Sequence, residues 1–141
     1  MANEAVLVYE TSHPIPFTVA DGAGIEKGAL LKLTDPMTAV ITSGSGDMIA
    51  GIASTEKIAS DGVTKLGVFR RGIFKMTASG SITAGQPLAS AGGVAGDVNK
   101  VYAPIPSAAL SGSSILGTAL ETASTGETFL VDLNVGTGGA T

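Results

Sequence analysis

This 141-residue sequence predicts an all-β domain, and three observations carry the prediction. No long window keeps an apolar stripe at helical spacing without Gly or Pro cutting it. Short strand-like runs recur instead, separated by turn pairs such as Asp21-Gly22, Asp35-Pro36, Asp61-Gly62 and Gly96-Asp97. Gly (20), Ala (20), Ser (13) and Thr (15) fill about half the chain, against four Phe, two Tyr and no Trp. The core must therefore be aliphatic and thin, as in a small barrel or sandwich of many short strands.

The elements follow in chain order. Residues 1–19 read as an extended N-terminal arm. Within it residues 5–9 alternate, with Val6 and Val8 on one side, and Pro14 and Pro16 force extended backbone and remove two donors. A segment with that pair of prolines is expected at an edge or in an arm rather than in a central strand. Residues 20–135 read as one β domain. Strands are expected at 29–33, 39–42, 48–53, 65–76, 114–120 and 128–135, with Gly67 and Gly72 marking bulges in the long ribbon. One or two short helices are expected, at 55–59 and 107–110. The clearest alternation is the last strand, where Phe129, Val131 and Leu133 face inward; Ile52 and Leu120 are expected at equivalent inner places. Residues 136–141, Gly-Thr-Gly-Gly-Ala-Thr, have nothing to bury and read as a flexible tail.

The β domain repeats itself. Ile25-Glu-Lys-Gly28 resembles Ile82-Thr-Ala-Gly85, Gly51-Ile-Ala53 matches Gly117-Thr-Ala119, and Ala59-Ser-Asp-Gly62 matches Ala123-Ser-Thr-Gly126. Two copies are too few for a solenoid and suit one domain built from two similar halves.

Composition excludes several chemistries. There is no cysteine, so no disulfide, thiolate zinc site or cysteine nucleophile. The one histidine, His13, lies in the arm before Pro14, a poor scaffold for catalysis. The twelve acids stand mostly beside turn residues and form no calcium loop, and the glycines form no phosphate cradle. No catalytic, cofactor or metal residue is assigned. A net charge of −4 argues against bulk nucleic-acid or membrane binding. Nothing in the sequence reads as a signal peptide or a membrane span, so synthesis in the cytoplasm is expected. Half of the eight basic residues, Lys65, Arg70, Arg71 and Lys75, fall in one short ribbon around Phe69 and Phe74. A solvated strand face is the plain reading; contact with an acidic partner or neighbouring subunit is the functional one.

The order of these signals resembles the small capsid decoration, or cement, proteins of tailed bacteriophages. The residues that carry the likeness are Ile15-Pro-Phe-Thr-Val-Ala20, Ile25-Glu-Lys-Gly-Ala-Leu-Leu-Lys-Leu33, Ile49-Ala-Gly-Ile-Ala53, Gly72-Ile-Phe-Lys-Met76, Ser81-Ile-Thr-Ala-Gly-Gln-Pro-Leu88 and Leu116-Gly-Thr-Ala-Leu-Glu-Thr-Ala-Ser-Thr-Gly-Glu-Thr128. The resemblance implies a compact β-tulip or β-clip-like barrel with no catalysis and no cofactor. It implies homotrimers at three-fold or quasi-three-fold positions on the outer surface of the virion capsid. Such trimers bind the major capsid protein after shell expansion and bridge capsomers, without contacting nucleic acid or membrane. Under that expectation the capsid-contact candidates are Val6, Val8, Tyr9, Pro14, Ile15, Pro16 and Phe17, and the subunit- or capsid-contact candidates are Arg70, Arg71 and Lys75. The rival readings are a tail, baseplate or surface-adhesin β-domain, an enzyme on a small β scaffold, and a single-strand nucleic-acid binder using the basic ribbon.

Overall fold

A computed structural model describes residues 3–44, 47–91, 99–104 and 114–135. The strands among them form two closed, five-membered rings that follow one another along the chain. The first ring is β2 (Ile15–Thr18), β4 (Thr38–Ile41), β3 (Leu30–Asp35), β5 (Ile49–Ala53) and β6 (Lys65–Phe69). The second runs β7 (Arg71–Ala78), β11 (Thr128–Asn134), β10 (Ile115–Ala119), β8 (Pro87–Ser90) and β9 (Lys100–Tyr102), which returns to β7. One further strand, β1 (Val6–Tyr9), lies on β7 outside the second ring.

The rings are copies of one design. Each closes on one parallel ladder, Thr18 with Thr38 in the first and Thr77 and Ala78 with Lys100 and Val101 in the second, and the other ladders among the described residues are antiparallel. The same turn hydrogen bonds recur: Gly28 N–H to Ala53 and Gly85 N–H to Ala119, then Ile25 with Lys57 and Ile82 with Ala123 in both directions. Gly51 and Gly117 occupy the same corner. A methyl at Gly51 would overlap the carbonyl oxygen of Phe69, and one at Gly117 that of Asp132, so only glycine lets these strands approach. This explains the repeated Gly-x-Ala motif.

The bridges also correct the repeat register. Lys57, not Ala59, is the counterpart of Ala123, since each faces the equivalent isoleucine. Residues 58–63 then do in the first half what residues 124–126 do in the second, because Thr64 and Glu127 accept from the equivalent residues Val19 and Ala78.

Two apolar clusters fill the rings. Phe17, Ile25, Leu31, Leu66 and Val68 lie in the first. The second holds Phe74, Met76, Phe129, Val131 and Leu133, and it is joined by Leu30, Ile49, Ile52 and Phe69 from the first half. The halves therefore share one continuous apolar seam, crossed by the buried hydrogen bond from Leu30 N–H to Asn99 Oδ1 (2.9 Å) and by the Phe69–Phe74 edge-to-face pair (5.7 Å). Phe129, Val131 and Leu133 are inward as the alternation requires. Leu120 is not: β10 ends at Ala119, which faces in, and Leu120 is 45% exposed.

The N-terminal segment departs most from expectation. Residues 15–18 are a ring strand, and the arm reading fails for them. The ladder of β2 to β6 runs from Ile15–Val68 to Thr18–Lys65, while Thr18 N–H points the other way, to Met37 C=O (2.6 Å). Backbone polar groups alternate along a strand, so Pro16 faces the same side as Thr18. That side is unpaired at Pro16, and the missing N–H costs no ladder bond. The prolines blunt an open edge. Residues 6–9 are likewise paired rather than draped loosely, with Val6 opposite Lys75 and Tyr9 opposite Ile73 across a bulge. Ala5 is buried and its N–H bonds Gly28 C=O (2.8 Å). No helix forms at 55–59, where Lys57 bridges to Ile25 instead; residues 107–110 and 136–141 lie outside the described residues.

Candidate interaction surface

On the outer face of the second ring, strand register brings together side chains far apart in sequence. Lys75 of β7 stands between Val6 of β1 and Leu130 of β11. One step along, Ile73 stands between Tyr9 and Asp132, and Asp132 in turn faces Thr118 of β10. Arg71 is opposite Asn134. Leu120 continues the first row, its N–H bonded to Leu130 C=O (2.9 Å). The alternate residues Phe74, Val131 and Leu133 point into the core, which fixes the outward direction of this set.

The face is apolar and basic. Val6 (60% exposed), Tyr9 (64%), Leu120 and Val8 are among the most exposed large hydrophobic side chains of the described residues. Arg71 and Lys75 are exposed and make no ion pair among the described residues. By contrast Lys57 is tied to Asp21 and Asp61, Lys32 to Asp47, and Lys65 to the Thr18 hydroxyl. Two carboxylates lie on the β11–β10 part of the face. Asp132 is half-buried, and Glu121 accepts from Leu130 N–H (2.9 Å).

Four of the expected contact residues, Val6, Tyr9, Arg71 and Lys75, thus share one face, and Val8 is exposed at the β1 bulge. The others do not. Phe17 is 2% exposed in the core of the first ring and cannot be a surface contact. Pro14, Ile15 and Pro16 line the blunted edge of β2, on the other half. Arg70 turns inward, its Nη1 donating to Ala50 C=O (2.9 Å), and burial first and the neighbouring Arg71 charge second lower its pKa. Ile73, Leu130 and Leu120 belong to the face and were missed, because only the long-range pairing of β1 with β7 and β11 reveals them.

Elsewhere the surface offers little chemistry. A groove of about 470 Å³ lies between β1 and the first ring, walled by Ala5, Leu7, Phe69 and Phe74 with Glu4 and Lys27 among its polar lining residues. Glu4 is pushed up, first by a hydrogen bond shared with Glu26 and then by burial, while that shared hydrogen bond lowers Glu26. His13 is exposed between β1 and β2. Among the described residues no group of three His, Cys, Asp or Glu could hold a metal ion.

The second half differs from the first at this face in a telling way. By strand register the counterpart of Lys75 is Pro16, that of Ile73 is Pro14 and that of Leu130 is Gly67. Among the described residues no strand covers β2 there as β1 covers β7. The fold closes without these outward side chains, so they are not what holds it together.

Comparison with known proteins agrees with a structural role. No curated protein matches the chain. Among solved structures, the head fiber gp8.5 N base of bacteriophage phi29 superposes with a TM-score of 0.55, over 85% of this chain and 93% of that one, at 13% identity. That likeness is one of fold. A family model described as phage cement protein matches residues 9–135. Matched over nearly all its length, the chain belongs to the phage cement protein family, the capsid-associated structural proteins of bacteriophages.

Proposed function

We propose that the chain is a non-enzymatic decoration protein that binds the outer surface of the assembled, expanded phage head and stabilises the lattice by bridging capsomers. In this reading homotrimers sit at three-fold or quasi-three-fold positions on the major capsid protein. The observation that carries it is the composite face of Val6, Tyr9, Ile73, Lys75, Leu130 and Leu120, built on a rigid sheet and absent from the otherwise equivalent first half. An exposed apolar cluster that the fold does not need is the usual mark of a protein contact. Family membership points that contact at a capsid.

Binding of this kind acts by mass action: a ligand of the assembled shell that ignores loose subunits stabilises the shell by its binding free energy. Many copies, each touching several subunits, add avidity. The contact is made by side chains rather than by strand addition, since β1 already spends one edge on β7 and carries a bulge that discourages pairing on the other. Co-sedimentation of the purified chain with expanded and with unexpanded heads tests the proposal. Saturable binding to expanded heads alone is expected. Binding to neither form, or location at the tail, would overturn it.

A further inference from the structure

We infer that the surface this face recognises on the head is acidic: carboxylates set beside an apolar side chain, engaged by Arg71 and Lys75 on either side of Ile73. The inference rests on the decoration reading and adds the chemistry of the partner. Three observations carry it. Arg71 and Lys75 lie two residues to either side of Ile73 on the same face of β7, so their Cα atoms stand about 13 Å apart. They are exposed and make no ion pair among the described residues, in a chain whose net charge is −4. Nor does the fold require a cation at Lys75, because the equivalent strand β2 has Pro16 in its place and closes its ring all the same.

Unpaired cations beside apolar side chains complement a surface of the opposite kind, and such pairs set association rate and specificity. Val6, Tyr9 and Leu130 flank the cations and exclude water from around them once a partner is seated, which strengthens the charge contact. The acids of this face, Asp132 and Glu121, stand towards β10, so the acidic partner meets the β1–β7 side.

The test uses the full chain and purified expanded heads, with four proteins: the natural chain, Arg71→Glu/Lys75→Glu, the neutralising pair Arg71→Gln/Lys75→Gln, and Lys27→Glu/Lys65→Glu. The last carries the same change of net charge outside strands β1, β7 and β11. Raising the salt from about 0.1 M to about 1 M shortens the screening length from about 10 Å to about 3 Å. The natural chain should lose about tenfold or more in affinity over that range. The reversal pair should bind about tenfold or more weakly at low salt and lose most of its salt response; the neutralising pair should fall between, and the control pair should stay within about threefold of the natural chain. A thermal melt unchanged in the face variants assigns the loss to binding. If the natural chain binds expanded heads but the reversal pair binds equally well, or the control pair loses as much, the acidic partner is wrong while decoration stands. If the natural chain binds no heads, or binds single-stranded nucleic acid instead, the decoration reading itself fails, and this inference with it.

Discussion

Replacing Lys57 with Met tests how the two halves came to differ. The Lys57 side chain is fully buried, and its ammonium donates to Asp21 C=O (2.6 Å), Ile58 C=O (3.2 Å) and Asp61 Oδ1 (3.2 Å). Methionine fills much of the same space but removes all three ammonium hydrogen bonds: Asp21 C=O keeps only the Ser60 N–H (2.7 Å), Ile58 C=O keeps only the Asp61 N–H (3.3 Å), and Asp61 loses its cation. Hydrogen bonds involving a charged group contribute about 1.5–3 kcal/mol each, and the substitution removes those to Asp21 C=O, Ile58 C=O and Asp61 Oδ1. The Asp21 and Asp61 side chains are 47% and 27% exposed, so water screens the ionic part and the sum is discounted. We expect a loss of about 2–4 kcal/mol, or about 5–15 °C in Tm for a domain of this size. Urea melts of the natural chain and Lys57→Met, at constant m-value, measure it.

The pH dependence supplies a second readout. Asp61 is held below the ordinary carboxylate range, first by the Val63 N–H and then by Lys57 and the Ile58 N–H. A carboxylate lowered in the folded state adds stability that is present above its unfolded pKa of about 3.9 and is lost as pH falls through the folded value. The gap between the two proteins should therefore narrow below about pH 4. A third protein, with residues 57–63 replaced by Ala-Ser-Thr-Gly on the pattern of residues 123–126, should recover most of the loss. A Lys57→Met chain within about 0.5 kcal/mol of the natural one at neutral pH would refute this account of the loop.

Leu133→Ala should cost about 2–5 kcal/mol in denaturant melts, since Leu133 is fully buried in the shared core. Phe17→Ala should cost about 3–5 kcal/mol while leaving head binding of the remaining folded protein unchanged, because Phe17 is core and not contact. Gly117→Ala should lower Tm or the yield of folded protein sharply, whereas Gly62→Ala, with open space around it but φ of +84°, should cost only about 1 kcal/mol. Deleting residues 2–9 should both destabilise the domain and weaken head binding, as it uncovers β7 and removes Val6 and Tyr9 together.

Local pattern was legible and directional information was not. Alternation at Phe129, Val131 and Leu133 placed the last strand correctly because one face is buried and period two leaves no other choice. The repeated Gly-x-Ala corner revealed two halves because a close backbone approach admits only glycine. The prolines misled, since Pro16 removes a donor on one side of its strand and the sequence does not say which side is open. Leu120 misled because the residue that ends a strand is decided by its neighbour's hydrogen bond, here Ala119 N–H to Gln86 C=O, and not by size. The interaction face was half legible. Val6, Tyr9, Arg71 and Lys75 stood out by type, but that they share a surface follows only from pairing strands more than sixty residues apart.

The most direct test of the central claim is electron cryo-microscopy of expanded heads saturated with the full chain. Density is expected for the two-ring domain on the outer surface, with the face of Val6, Ile73, Lys75 and Leu130 against the shell and the blunted edge of β2 away from it. Density with that face turned to solvent would contradict the assigned surface, and the absence of the domain from the head would contradict the function.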